Sequence, residues 1–168
     1  MENGYRLWCS EQDPGEKLIP LPWIEDLMDH LNGASFYTKM DLTAGYHQVQ
    51  MHQGDTWNTT FKIKFGLFEW MVMPFGLTKV PTTFMRMIND IFRPLLNKFV
   101  VIYLDDIMIF NRSWDEHMHH VFQVLQLLRN HKLQVKKRKS LFGQKSLHYL
   151  GFVVDREGIR PNSAKFRL

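Results

Sequence analysis

The sequence predicts an α+β domain, in which short paired strands alternate with amphipathic helices. Three observations carry that expectation. Apolar residues recur at helical spacing in three separate stretches: Ile24, Leu27, Met28 and Leu31; Phe84, Met87, Ile88, Ile91, Phe92 and Leu95; and Met118, Val121, Phe122, Leu125 and Leu128. Between them lie β-branched and aromatic runs bounded by turn residues, the pattern of hairpins. One of these runs, Phe99–Phe110, carries no charge except two adjacent aspartates, Asp105 and Asp106.

With 168 residues the chain is long enough for one domain with a core, and 45% hydrophobic content argues against disorder. The net charge of +4 is compatible with a nucleic-acid partner and does not establish one. A single cysteine, Cys9, excludes an internal disulfide framework and suggests a reducing, intracellular setting. The first residues lack the basic start and apolar run of a signal peptide, and no stretch has the length and apolarity of a membrane span.

Residues 1–19 read as turn or loop, with Asp13-Pro14-Gly15 at their centre. The first helix follows Pro22, carries Glu25 and Asp26 near its positive end, and stops at Gly33. Ser35–Leu42 reads as a strand ending on Asp41. Thr43–Tyr46 reads as a turn, and His47–Met51 alternates as a half-buried strand would. Thr59–Phe65 alternates as a strand ended by Gly66, and Phe68–Val72 reads as its partner, so residues 59–72 read as a hairpin. A helix is expected from about Pro81, with Pro94 kinking it or marking its last turn. Ser113 and Glu116 form a capping-box pattern before the third helix. Its apolar stripe reads as core. His117, His119 and His120 read as a solvated face, since no matching cluster completes a metal site. Lys132, Lys136, Lys137, Arg138 and Lys139 surround a short expected strand with a basic rim. Finally, Leu147–Val154 and Gly158–Arg160 read as the arms of a hairpin around Asp155-Arg156-Glu157.

The aspartate pair is the feature that asks for chemistry. Adjacent carboxylates repel, and desolvating them is costly. A tight hairpin with the acids at its tip, and a cation between them and a third acid, resolves the conflict. A solvated polar turn resolves it equally well. Asp41, ending an apolar strand, is the best local candidate for a third acid.

Several stretches in one order resemble the reverse transcriptase of gypsy-type LTR retrotransposons, with a more distant likeness to retroviral enzymes. They are PLPWIEDL (20–27), FYTKMDLTAGYHQVQM (36–51), TTFKIKFGLFEWMVMPFGLT (59–78), NDIFRPLL (89–96), FVVIYLDDIMIF (99–110), the Asp115-Glu116-His117 helix start and HYLGFVVDREGI (148–159). The resemblance implies a polymerase palm over residues 20–168, a small antiparallel sheet backed by helices, preceded by a degenerate fingers remnant or loop at 1–19. It implies RNA-directed DNA polymerisation by two-metal nucleotidyl transfer, using a primed RNA or DNA template and deoxynucleoside triphosphates. Two Mg²⁺ ions about 3.5–4 Å apart serve such chemistry, and Mn²⁺ is a substitute. Asp41, Asp105 and Asp106 are the catalytic, metal-binding acids in this reading, with Asp41 and Asp105 the main ligands. Tyr46, Phe75 and Gly76 would contact the incoming nucleotide, Tyr46 as the gate against a 2′-hydroxyl. Tyr149, Leu150 and Gly151 would form the primer grip, within a hairpin near 147–160.

The sequence also departs from the family pattern. Lys79-Val80-Pro81-Thr82-Thr83-Phe84-Met85 stands where the family usually has Asn-Ala-Pro, a small residue and Thr-Phe-Gln. Thumb, connection and RNase H regions would follow the primer grip in a parent polyprotein, acting in the cytoplasm or a virus-like particle. In this reading Met1 is a start internal to that polyprotein. The alternative is an inactive remnant that keeps the fold and at most weak nucleic-acid binding. A protein-binding module in which the acids are dispensable is the third reading.

Overall fold

The computed structural model describes residues 23–42, 45–74 and 80–162. In chain order its elements are α1 (Ile24–Leu31), β1 (Phe36–Asp41), 3₁₀ turns at Gly45–Gln48 and Thr56–Thr59, β2 (Phe61–Ile63), β3 (Gly66–Phe68), α2 (Val80–Phe92), β4 (Val100–Tyr103), β5 (Asp106–Asn111), α3 (Trp114–Asn130), a 3₁₀ turn at Lys137–Lys139, β6 (Leu141–Gln144), β7 (Ser146–Tyr149), β8 (Phe152–Asp155) and β9 (Gly158–Pro161). The chain divides into two compact units. One contains the described part of Ala44–Asp90, the other the described parts of Pro22–Thr43 and Ile91–Leu168.

The larger unit is built on an antiparallel sheet of order β4-β5-β1-β6. Strand alternation gives β1 and β5 two faces. Tyr37, Lys39 and Asp41 oppose Phe110, Met108 and Asp106 on one face. Phe36, Thr38 and Met40 oppose Asn111, Ile109 and Ile107 on the other. The first face packs into a core with Leu27, Met28 and Leu31 of α1 and Leu147, Tyr149 and Val154 of the β7-β8-β9 sheet. Burying a leucine as fully as Leu31 stabilises the fold by about 2 kcal/mol. The second face receives α3, whose buried positions are His117, Val121, Val124 and Leu128.

Local chemistry explains the ends of the helices. Glu25 and Asp26 lie in the first turn of α1. The chain leaves it through Gly33 at φ +78°, a conformation that favours glycine. The Ser113 side chain accepts a hydrogen bond from the Glu116 amide at 3.4 Å, capping α3 as the sequence predicts. α2 ends at Phe92, so Leu95 lies beyond it and Pro94 follows the last turn rather than kinking it.

The smaller unit holds the β2–β3 hairpin, paired from Phe61–Phe68 to Ile63–Gly66. The expected hairpin is present, with Gly66 as the first residue of β3. The Trp70 amide donates to Thr59 Oγ1 at 2.8 Å and closes its base.

Four expectations need correction. His47–Met51 is not a strand: it begins in the 3₁₀ turn Gly45–Gln48 and makes only an isolated bridge, Gln50 with Val72. The basic segment is not a strand either, because Val135 makes one bridge to Leu42 before the Lys137–Lys139 turn. Residues 147–160 form two hairpins, since the chain already reverses at Leu150-Gly151, where both residues have positive φ as a tight hairpin turn requires. The buried stripe of α3 is rotated from the expected one. Met118, Phe122 and Leu125 are exposed while His117 is 0% exposed, with Nε2 2.7 Å from Thr38 Oγ1 and Nδ1 3.1 Å from Asn111 Oδ1. Two strand side chains offer this histidine hydrogen bonds, so the helix turns it inward. Burial and the neighbouring His120 hold its pKa down at about 4.

Candidate active site

The β4–β5 hairpin closes on the pair Tyr103–Asp106, leaving Leu104 and Asp105 as a two-residue loop. Leu104 takes φ +52°, where a residue with a Cβ is strained by about 1–2 kcal/mol. The Leu42 amide donates to the Asp105 carbonyl at 2.9 Å and ties the loop to the end of β1. In the same register Asp41 pairs with Asp106. The sheet thus gathers all three acids at one end, as a tight hairpin facing a third acid should.

The segment before β6 fixes the other side of this end. The Lys136 amide donates to the Asp41 carbonyl at 2.7 Å, and the Asp41 amide donates to Ser140 Oγ at 3.2 Å. Lysines compensate the outer carboxylates: Lys39 Nζ lies 2.9 Å from Asp106 Oδ2, and Lys139 Nζ lies 3.8 Å from Asp41 Oδ2. Asp105 is different. Its Oδ1 is buried without a hydrogen-bond partner among the described residues. Burial, then the charges of Asp41 and Asp106, push its carboxyl above the usual range, and Lys136 and Lys139 offset this only in part.

Such a site fits a hard divalent cation by its donor chemistry. It is all carboxylate, with a desolvated and unpartnered oxygen at its centre. Among the described residues no three acidic, histidine or cysteine side chains are already gathered as one ligand set. The acids are adjacent in backbone register while Asp41 and Asp106 are engaged by lysines.

The expected primer-grip residues sit beside Asp106. Tyr149 ends β7, and Leu150 and Gly151 form the turn into β8. A cleft of about 380 Å³ is lined by Lys39, Asp106, His148, Tyr149, Leu150, Gly151 and Asn162. The Tyr149 ring is buried, and its hydroxyl has no hydrogen-bond partner among the described residues. Burial and the nearby Asp106 charge push its pKa up. The Tyr46 side chain, Phe75 and Gly76 lie outside the described residues. Sequence reasoning missed Lys39, Lys139 and Ser140. Strand alternation could have found Lys39, two residues before Asp41 and therefore on its face.

Comparison with known proteins agrees with this architecture. The family model for reverse transcriptase (RNA-dependent DNA polymerase) matches residues 7–154. A retrovirus-related Pol polyprotein from transposon 297 of Drosophila melanogaster is 38% identical over 98% of this chain, and the chain covers 16% of that protein. The transposon Tf2-3 polyprotein of Schizosaccharomyces pombe is 36% identical over 86% of the chain, which covers 11% of it. The chain therefore spans less than a fifth of these relatives. Among solved structures, a foamy viral protease-reverse transcriptase in complex with an RNA/DNA hybrid matches 86% of this chain and 20% of that one, with TM-score 0.78 and 20% identity. At that identity the likeness shows the fold, a polymerase palm-like arrangement of antiparallel sheet and helices. With most of its length matched by the family model, the chain belongs to the reverse transcriptase family.

Proposed function

We propose that this chain carries the catalytic palm of an RNA-directed DNA polymerase from a retrotransposon polyprotein, with residues 20–168 as the palm. Asp41 and Asp105 hold Mg²⁺, and Asp106 completes the acidic end of the sheet. A divalent cation held by these acids would supply Lewis-acid stabilisation of the charge that develops on the phosphates in nucleotidyl transfer. The chain's own residues position the parts. The register of β1 and β5 sets the acids side by side, and the Leu42–Asp105 hydrogen bond holds the loop. The β7–β8 turn borders the cleft beside Asp106, where a primer end would lie. Tyr46, Phe75 and Gly76 serve the incoming deoxynucleotide in this reading, and the template partner is RNA or DNA.

One observation carries the proposal. Asp41, Asp105 and Asp106 share one end of the sheet by backbone register, and Asp105 keeps a buried oxygen with no hydrogen-bond partner among the described residues. Titrating Mn²⁺ into the purified chain, followed by water-proton relaxation, tests it. Asp41→Asn and Asp105→Asn should each weaken binding about tenfold or more, as loss of a charged ligand does. Binding that survives both substitutions unchanged refutes the site.

A further inference from the structure

Lys39 stands one strand repeat from Asp41 on the same face of β1, and its ammonium lies 2.9 Å from the Asp106 carboxylate. Both side chains are only about a fifth exposed, at 22% and 23%. The lysine also lies over the ring of Tyr149, 5.9 Å from its centroid, and lines the cleft beside the β7–β8 turn. The contrast with Lys139 is informative. That residue reaches Asp41 only at 3.8 Å and is 63% exposed, the geometry of a weak surface pair. Lys39 is short-range, half-enclosed and held between a carboxylate and an aromatic face.

We propose that Lys39 is a positioning residue, the internal counter-ion that reserves Asp106. The three acids are then not equivalent. Asp106 is charge-compensated by the protein itself, which leaves Asp41 and Asp105 as the pair available to a cation. Lys39 also links this division to the β7–β8 turn, because the same ammonium touches Asp106 and faces Tyr149. This inference rests on the metal-binding reading above.

A double-mutant cycle on the full chain tests it, using Mn²⁺ alone as the probe and relaxation enhancement as the readout. With Lys39 present, Asp106→Asn should weaken Mn²⁺ binding by less than Asp105→Asn does, because the carboxylate it removes is already held by the ammonium. Lys39→Met should tighten binding by about five- to tenfold by releasing that carboxylate, and adding Asp106→Asn should abolish the gain. Lys39→Arg should restore the wild-type value. Lys139→Met controls for the mere loss of a positive charge, and its effect should be independent of Asp106. Lys39→Gln, a polar replacement, repeats the cycle if the methionine variant misfolds. An additive cycle, in which Asp106→Asn acts equally with and without Lys39, overturns the role of Lys39 alone. Absence of Mn²⁺ binding by the unsubstituted chain overturns the metal reading and this inference with it.

Discussion

The two faces of β1 and β5 handle buried polarity in opposite ways. On the α3 face every step of a network is paired. The Gly143 amide donates to Thr38 Oγ1 at 3.0 Å, and the same oxygen is hydrogen-bonded to His117 Nε2 at 2.7 Å. With the Asn111 amide oriented so that Oδ1 faces His117 Nδ1 at 3.1 Å, a neutral His117 carries its proton on Nδ1 and donates it there. Asn111 Nδ2 then donates to His120 Nδ1 at 2.7 Å, and the His120 ring stacks on Phe99 with centroids 3.6 Å apart. Four elements, β1, β5, β6 and α3, are joined without an ionised group at neutral pH. At the acidic end, by contrast, three acids share one end of the sheet, one with a buried oxygen that has no partner among the described residues, beside a leucine at positive φ. One arrangement satisfies its polar groups and stabilises the fold. The other leaves one acid, Asp105, without a lysine or hydrogen-bond partner for its buried oxygen among the described residues, which is the condition for binding a cation.

Breaking the satisfied network should have the largest effect on stability. His117→Ala removes a fully buried ring and strands Thr38 and Asn111, and should cost about 3–4 kcal/mol. Urea unfolding at pH 7.5 measures it, and a loss below about 1 kcal/mol would mean that the network does not hold α3 to the sheet. The two regions should also differ in their response to acid. The folded His117 has a pKa near 4, against an ordinary value of 6.5. The unfolded chain therefore takes up the proton first. The stability due to neutral His117 is complete above pH 6.5 and is lost as pH falls toward 4, by roughly 3 kcal/mol in all. Unfolding free energies between pH 8 and 4 should show this fall in the unsubstituted chain and a smaller one in His117→Ala, where His120, also held down by burial and by His119, remains.

The smallest effect should come from the acidic end, with the opposite sign. Asp105→Asn removes a carboxyl whose pKa is raised in the folded state by burial and by Asp41 and Asp106. Without metal, the variant should be more stable at neutral pH by about 1 kcal/mol while losing Mn²⁺ affinity. A raised carboxyl gives stability that is full below its ordinary pKa and lost as pH rises, so in the unsubstituted chain it partly masks the His117 fall. The acid-side loss should accordingly be steeper in Asp105→Asn. A destabilised variant with an unchanged pH profile would break the comparison.

How much of this was legible follows the range of the interactions involved. The hairpin at Asp105-Asp106, the Ser113 cap, the stop at Gly33 and β1 ending at Asp41 were readable because each depends on neighbours within a few residues. The stripe of α3 was misread because apolar spacing alone favours Met118, Phe122 and Leu125, and the pull on His117 comes from Thr38 and Asn111 on two strands. The 147–160 region was read as one hairpin because Leu150 gives no turn signal by itself. Its positive φ is imposed by pairing on both sides of the turn.

The sequence by itself determined the family, the kinds of element and the identity of the acids, because apolar periodicity, turn residues and charge within a run are local properties. Only the tertiary structure decided which acid is desolvated, which is held by a lysine, and which histidine is buried. Those outcomes depend on strand register and on groups far apart in the chain: Asp41 meets Asp106, and Thr38 meets His117, only once β1, β5 and α3 are packed together.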